Sequence, residues 1–223
     1  MISVAIDGPA GAGKSSISRL AAKRLGFIYV DTGALYRAVG LKFSLSGADT
    51  SLNCDIDGIL AETVVDIRFK DGEQRVFLDG RDVSDEIRTP NASMMASAVS
   101  ARPQVRAFLL EMQRKLAREN NVVMDGRDIG TVVLPDAKVK IYLTASAEVR
   151  AKRRLKELKE KGEKVTFKEV YDDMVKRDYD DMHRKIAPLK QAEDAVLADT
   201  TDCSLEESVE LVLKIVSEKR TEN

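Results

Sequence analysis

A strand, a glycine-rich turn and a helix occupy the first 26 residues, and the rest of the chain is organised around them. Ile2, Val4, Ala5 and Ile6 form an apolar run with the length and composition of a buried strand. Gly8-x-x-x-x-Gly13-Lys14-Ser15 follows at once, the full phosphate-binding loop pattern. Ile17, Leu20, Ala21, Ala22 and Leu25 then recur at helical spacing until Gly26, where the helix is predicted to stop.

Each residue type in the loop has a physical reason. Gly8, Gly11 and Gly13 let the backbone bend and approach an anion closely, because no Cβ intervenes. With Pro9, Ala10 and Ala12 they form a cradle whose N–H groups are expected to point at phosphate oxygens, at a helix N-terminus that favours negative charge. Lys14 adds a point charge near the β- and γ-phosphates, and a hydroxyl at Ser15 or Ser16 can reach Mg²⁺. A bare Gly-rich turn most often only connects a strand to a helix. The whole pattern in this context implies nucleoside triphosphate binding.

With 223 residues the chain suits one α/β domain with insertions. Its 36 basic residues balance 37 acidic ones, which argues against a nucleic-acid polymer as partner. No run of about 18 apolar residues exists, so no membrane span is expected. The first strand begins at Ile2 and leaves no room for a signal peptide, and Cys54 and Cys203 are isolated, so a reduced, cytoplasmic protein is expected. His183 is the single histidine, which nearly excludes histidine-based triads and multi-histidine metal sites.

Phe27 to Thr32 reads as a second strand, followed by a helix through Leu35, Tyr36, Val39 and Leu41. Ligands in open α/β sheets bind beyond the carboxyl ends of strands, which brings Asp31, Thr32 and Arg37 to the edge that carries the loop. Asp31 or Thr32 could equally be a helix cap. Residues 46–100 change character. Val64 to Phe69 and Arg75 to Leu78, with Asp71-Gly72 between them, predict a β-hairpin, and Asp79-Gly80 marks another turn. This is a small antiparallel insertion, either decoration or a flap over an acceptor. Helix resumes from Ser93, and Pro103 starts another whose Val105, Phe108, Leu109 and Met112 face a core. Arg102 and Arg106 near that start oppose the helix dipole; a surface salt bridge is the bland account of them.

Asn121 to Asp125 reads as a third strand, and the cluster Asp125-Gly-Arg-Asp128 is too charged to be only a turn. An acid closing an apolar strand downstream of a phosphate loop fits the second half of a nucleotide site. Val139 to Leu143 is a fourth strand and Ala195 to Asp199 a fifth. Between them lie a charged helix, Glu148 to Lys161, and a second one opened by a capping box at Thr166 and Glu169. On it Arg177, Asp181 and Arg184 share a face by spacing. The bland account is an exposed i, i+4 ion pair; the sharper one is a mobile lid that carries arginines to phosphates. Ser204 and Glu207 cap a last helix, and residues 218–223 are expected to fray.

The predicted cleft holds Arg37, Arg106, Arg127, Arg177 and Arg184, with Arg153 or Arg154 from the lid. One phosphate chain does not need so many; two phosphorylated ligands do. An acceptor phosphate is already ionised, so no general base is required. Here the chain resembles the bacterial cytidylate kinase family over nearly its whole length, in Ile6 to Ser15, Asp31 to Arg37, Val83 to Arg88, Asp125 to Val133, Arg177 to Asp181 and Ile186 to Pro188. The resemblance implies a three-layer P-loop kinase fold: a parallel five-stranded sheet, an antiparallel β insertion and a helical lid. It implies transfer of the ATP γ-phosphoryl group to CMP or dCMP with Mg²⁺. By position, Arg37 and Arg127 are expected to hold the acceptor phosphate. Ser97, Arg106, Asp128 and Arg184 are expected to line the base site with Thr32 nearby. Asp181 is expected at the sugar, and Arg177 reaches phosphate from the lid. Residues 1–45, 101–148 and 186–223 are then the core, 46–100 the monophosphate-binding insertion and 149–185 the lid. The chain departs from the family pattern at Thr32, where serine is expected, and at Ser15-Ser16, where nucleotide kinases often place glycine before the hydroxyl residue.

Two rival readings remain open on the residues alone. A small-metabolite kinase would use Asp31 to deprotonate an alcohol. A nucleotide switch or inert P-loop domain would bind without turnover, although no Asn-Lys-x-Asp motif for guanine is present. A monomer is the default expectation.

Overall fold

In the computed structural model, which describes residues 1–70, 72–160 and 162–221, the apolar runs become a parallel sheet. Its strands are β1 (Ser3–Asp7), β2 (Ile28–Asp31), β6 (Val122–Gly126), β7 (Val139–Thr144) and β8 (Val196–Asp199), in the order β2-β6-β1-β7-β8. Strands covered on both faces must be apolar on both, and these are. Val4 and Ile6 join Tyr29, Val123 and Ile141 in a core under α1 (Lys14–Leu25) and α8 (Leu205–Thr221). Ala5, Val30, Val122 and Met124 point to the other face, against Leu110 and Leu116 of α5 (Pro103–Glu119). Three layers result.

Register places the site. Asp31 lies beside Asp125, and Asp125 beside Ile6, so β1, β2 and β6 end level with one another. The acids that close those strands, Asp7, Asp31 and Asp125, share one sheet edge with the loop that follows β1.

Several boundaries differ from expectation. Thr32 belongs to α2 (Thr32–Leu45), not to the second strand, because Asp31 acts as N-cap and accepts from Ala34 N at 2.9 Å. The insertion holds the expected hairpin, β3 (Val65–Lys70) and β4 (Glu73–Leu78), with β5 (Arg81–Asp82) beside it. The expected Asp-Gly turn falls on Asp71, outside the described residues, and on Gly72. The insertion also holds α3 (Ile56–Ala61), capped by Asp55 and invisible in a short stretch containing Gly58. α4 (Pro90–Ser100) starts a turn before Ser93, because Thr89 caps it and Pro90 supplies its first residue. Leu60, Val76, Leu78, Ile87 and Met95 share one apolar cluster with Leu35, Phe43 and Leu109, so the insertion packs directly onto α2 and α5.

A π-helical turn, Ile129–Val133, follows β6 and had no sequence signal. The charged hairpin is α6 (Ala147–Glu160) and α7 (Phe167–His183), with the capping box at Thr166 and Glu169 present. Lys161, expected in the first of these helices, lies outside the described residues. The hairpin buries more than its charge suggests: Ala151, Val170 and Met174 form a cluster with Ala10 of the phosphate loop. Residues 218–221 do not fray but continue α8 to Thr221, where the capping pair Ser204 and Glu207 has set the helix; residues 222 and 223 lie outside the described set.

Candidate functional site

The loop is built largely from backbone. Gly8 adopts φ 154°, and a Cβ there would run into the Leu143 carbonyl of β7. Gly13 is the N-cap of α1 with φ 88° and brings no capping side chain, so the first N–H groups of that helix are left for an anion. Lys14 is buried and its ammonium donates to Pro9 O at 2.7 Å. Burial, with the cation of Arg127 nearby, pushes it down to about 7. Not every loop N–H faces inward as expected. Ala10 N donates to Asp178 Oδ1 at 3.1 Å, and Ala10 O accepts from Arg150 Nη1 at 2.8 Å.

The strand ends supply acids. Ser15 Oγ donates to Asp125 Oδ2 at 3.1 Å, and the Tyr29 hydroxyl donates to Asp125 Oδ1 at 2.8 Å. Burial and the neighbouring Asp31 carboxylate raise Asp125 to about 6. Ser16 is exposed on the next position of α1. Asp7 accepts from Ile129 N and Gly130 N, each at 2.7 Å. Those two bonds favour its carboxylate, but burial outweighs them and raises it to about 6. At the other end of the π-helical turn Arg114 donates to Val132 O and Val133 O at 3.1 and 3.0 Å. An anion at its N–H end and a cation at its carbonyl end hold the segment that carries Arg127 and Asp128.

Opposite the loop stands a lattice of side chains. Asp128 is buried between Arg106, which is hydrogen-bonded to it, and Arg184, whose Nη2 lies 3.2 Å from Oδ1. Arg127 Nε donates to Asp181 Oδ2 at 2.8 Å, and Arg184 Nη1 lies 3.8 Å from Asp181 Oδ1. Arg37 Nη2 donates to Asp31 Oδ2 at 2.9 Å, and its buried Nε has no hydrogen-bond partner. Arg106 sits over the Tyr36 ring, 5.7 Å from its centroid.

The structure thus brings together Arg106, Arg127, Asp128, Asp181 and Arg184, with Arg37 held apart from them on Asp31, and it corrects some details. Arg106 is a buried partner of Asp128, not half of a surface bridge. Arg184 lies just past the end of α7, where its Nε reaches Ala187 O at 2.6 Å, so it joins Asp181 through the chain turn and not a helix face. Asp181 pairs with Arg127 across the cleft and not with Arg177 along the helix. Arg177 is half-buried on α7, and burial with the charge of Arg127 lowers it. Arg153 reaches Thr200 O at 2.7 Å beside the loop, whereas Arg154 pairs with Glu157 on the surface. Thr32 is buried, its hydroxyl donating to Asp125 O at 2.8 Å, and Ser97 is half-buried on α4.

Sequence reasoning missed Asp7, Tyr29, Arg150 and Asp178. Only Asp178 had a signal: Val170, Met174 and Asp178 follow each other at four-residue spacing, so a carboxylate continues the buried stripe of α7. For a triphosphate and Mg²⁺ the fit is good. The loop is a cradle of unshielded backbone, and the Ser15 hydroxyl beside the Asp125 carboxylate is the hard oxygen pair that Mg²⁺ uses alongside phosphate and water. No group of three or more acidic, histidine or cysteine side chains suited to a metal exists among the described residues.

The family model described as cytidylate kinase matches residues 4–218. The chain belongs to the cytidylate kinase family. It is 53% identical over 214 residues to the cytidylate kinase of Caldicellulosiruptor bescii, covering 96% of this chain and 95% of that one. It is 50% identical over 216 residues to the cytidylate kinase of Carboxydothermus hydrogenoformans, covering 97% of each. A solved structure of an uncharacterised protein from Eubacterium ventriosum has the same fold, with a TM-score of 0.52, 13% identity and coverage of 97% and 99%. As a member of the cytidylate kinase family the chain is an ATP-dependent kinase with a P-loop fold. No helix among the described residues is long and apolar enough to cross a membrane.

Proposed function

We propose that this chain transfers the γ-phosphoryl group of ATP to CMP or dCMP, giving ADP and CDP or dCDP. The observation that carries the reading is the Arg106–Asp128–Arg184 cluster just past the end of β6, beside the Arg127–Asp181 bond that links β6 to α7, with Arg37 on Asp31 at the end of β2. A carboxylate between two guanidiniums offers fixed donors and an acceptor to the edge of a pyrimidine. Arg127 and Arg37 are held by carboxylates that an incoming phosphate can replace. Asp181 then faces the sugar, Ser97 and Thr32 border the base site, and Arg177 reaches phosphate from α7.

An oxygen of the CMP phosphate attacks the γ-phosphorus; the bond from that phosphorus to the β–γ bridging oxygen breaks, and ADP leaves. The attacking oxygen is already ionised, so the chain has only to position and neutralise. Residues Gly8 to Ser16 cradle the triphosphate, and its charge restores that of Lys14. Mg²⁺ would supply charge neutralisation of the polyphosphate, and Ser15 with Asp125 is the pair that would hold it. The guanidiniums of Arg37, Arg127 and Arg177 stabilise the charge that spreads over the transferring group. In this reading residues 46–100 close over the acceptor and 149–185 act as a lid excluding water, on a core of 1–45, 101–148 and 186–223. The rival use of Asp31 as a base is disfavoured, since Asp31 already caps α2 and holds Arg37.

A coupled ADP-release assay with ATP and Mg²⁺ against CMP, dCMP, UMP, AMP, GMP and shikimate, with a no-acceptor control, tests this. Release with CMP and dCMP supports the reading. Release with shikimate alone, or with no acceptor, overturns it.

A further inference from the structure

We infer that the buried pair Arg150–Asp178 is a positioning device for ATP: two lid side chains hold the Pro9–Ala10 segment of the phosphate loop in its binding shape. The geometry rests on one peptide unit and its neighbours. Asp178 Oδ1 accepts from Ala10 N at 3.1 Å, and Arg150 Nη1 donates both to Ala10 O at 2.8 Å and to Asp178 Oδ2 at 2.6 Å. Arg150 Nε donates to Ala145 O at 2.8 Å, which ties the guanidinium to the end of β7. Pro9 has no N–H, and its carbonyl accepts from Lys14. Every backbone polar group of Pro9 and Ala10 is therefore held by a side chain: Lys14 from α1, Arg150 from α6, Asp178 from α7.

The packing agrees with the bonds. A Cβ on Gly11 would lie 2.7 Å from Met174 Cε and 3.3 Å from Arg150 Cβ, so the loop is pressed against both lid helices. Asp178 stands between Arg177 and Asp181 on α7.

A pair this buried, with both residues under a tenth exposed, needs an account beyond stability. Burying two charges costs desolvation, and apolar replacements of similar volume are often neutral or stabilising. What an apolar pair cannot do is satisfy Ala10 N–H and C=O, and that is what these two residues do. The inference deepens the proposed function, because it takes ATP as the ligand of the loop.

The experiment uses the full chain with the double variant Arg150→Met/Asp178→Leu, which removes both charges at once, and with Arg150→Lys, which keeps the charge but loses the forked donor. Binding of a fluorescent ATP analogue, KM for ATP and for CMP, thermal melting and amide exchange at Ala10 are measured. The Kd for the analogue and KM for ATP should rise about tenfold in the double variant, as expected for freeing buried hydrogen-bonding groups, with KM for CMP within about twofold. Ala10 exchange should quicken, and Arg150→Lys should fall between. A folded double variant with unchanged analogue affinity overturns the inference, as does an equal loss for ATP and CMP. If the double variant does not fold, the same comparison on Arg150→Lys decides. If the unaltered chain binds the analogue yet releases no ADP with CMP, the acceptor reading fails while the loop measurement still stands.

Discussion

The two walls of the cleft are made of different bonds. On the phosphate-loop side, side chains grip backbone: Lys14 on Pro9, Arg150 and Asp178 on Ala10. On the other wall, side chains grip one another: Arg106 and Arg184 on Asp128, Arg127 on Asp181, Arg37 on Asp31. A backbone wall needs glycines and close approach, and it serves any polyphosphate. A side-chain wall carries donors and acceptors at fixed places, and its ion pairs can exchange partners when a phosphate arrives. On the proposed reading, generic binding falls to the first wall and discrimination to the second.

The largest effect should come from breaking the second wall at its centre. Asp128→Asn leaves Arg106 and Arg184 without the carboxylate they share, in a site where all three side chains are under a tenth exposed. Removing one partner of a buried ion pair costs about 3–5 kcal/mol. Urea unfolding should show that loss, and ADP release with CMP should vanish at ordinary concentrations. An unchanged midpoint would mean that the lattice is not stabilising and that the contrast between the walls is one of appearance.

Next in size is Arg127→Ala, placed where the walls meet. A guanidinium acting on the transferring group is worth about a hundredfold or more in kcat. Binding of an ATP analogue should change by less than about threefold, since the backbone cradle does not depend on Arg127. Equal loss in turnover and in ATP binding would put Arg127 on the wrong nucleotide.

The contrast also explains which parts of the site are legible in the sequence. The backbone wall is contiguous along the chain, so its glycines, Lys14 and Ser15 stand out as one motif. The side-chain wall is assembled from α2, α5, the end of β6 and the end of α7. Its arginines can be counted in the sequence but not paired: the spacing makes Asp181 a helix partner of Arg177, whereas in the fold it bonds Arg127 across the cleft. Asp178 continues the buried stripe of Val170 and Met174, but its partners Ala10 and Arg150 lie on other segments and cannot be read from that spacing. The π-helical turn has no signal, since Asp7 and Arg114 hold it from distant segments. Strands and long helices are legible because their periodicity is local; short α3 is not.

Asp7 joins the two walls, and its titration tests that joint. Burial raises it from the usual carboxylate value to about 6 in the fold. Between pH 4 and 6 the folded chain therefore holds a proton that the unfolded chain has lost. The associated stability is full below the unfolded value, near 4, and is lost as pH rises through 6. Urea midpoints should climb as pH falls from 7 toward 4, and Asp7→Asn should shrink that climb by about 2 kcal/mol. A climb of the same size in the variant would assign it to other carboxyls, such as Asp125, which is raised in the same direction.

The smallest effect asks how strictly the side chains of the first wall must be oriented. Tyr29→Phe removes only the hydroxyl that donates to Asp125 Oδ1, leaving Ser15 Oγ on the other oxygen. One lost hydrogen bond to a carboxylate is worth about 1–2 kcal/mol, and the ring keeps its place in the core under α1. Stability should fall by about that much, and the Mg²⁺ concentration for half-maximal turnover should rise by about threefold as Asp125 loses its second anchor. KM for CMP should hold, because Tyr29 touches nothing in the Asp128 lattice. A collapse in turnover at saturating Mg²⁺ would show that Asp125 must be oriented by a side-chain network as strict as the one around Asp128, and the phosphate-loop wall would then be as side-chain-built as its opposite.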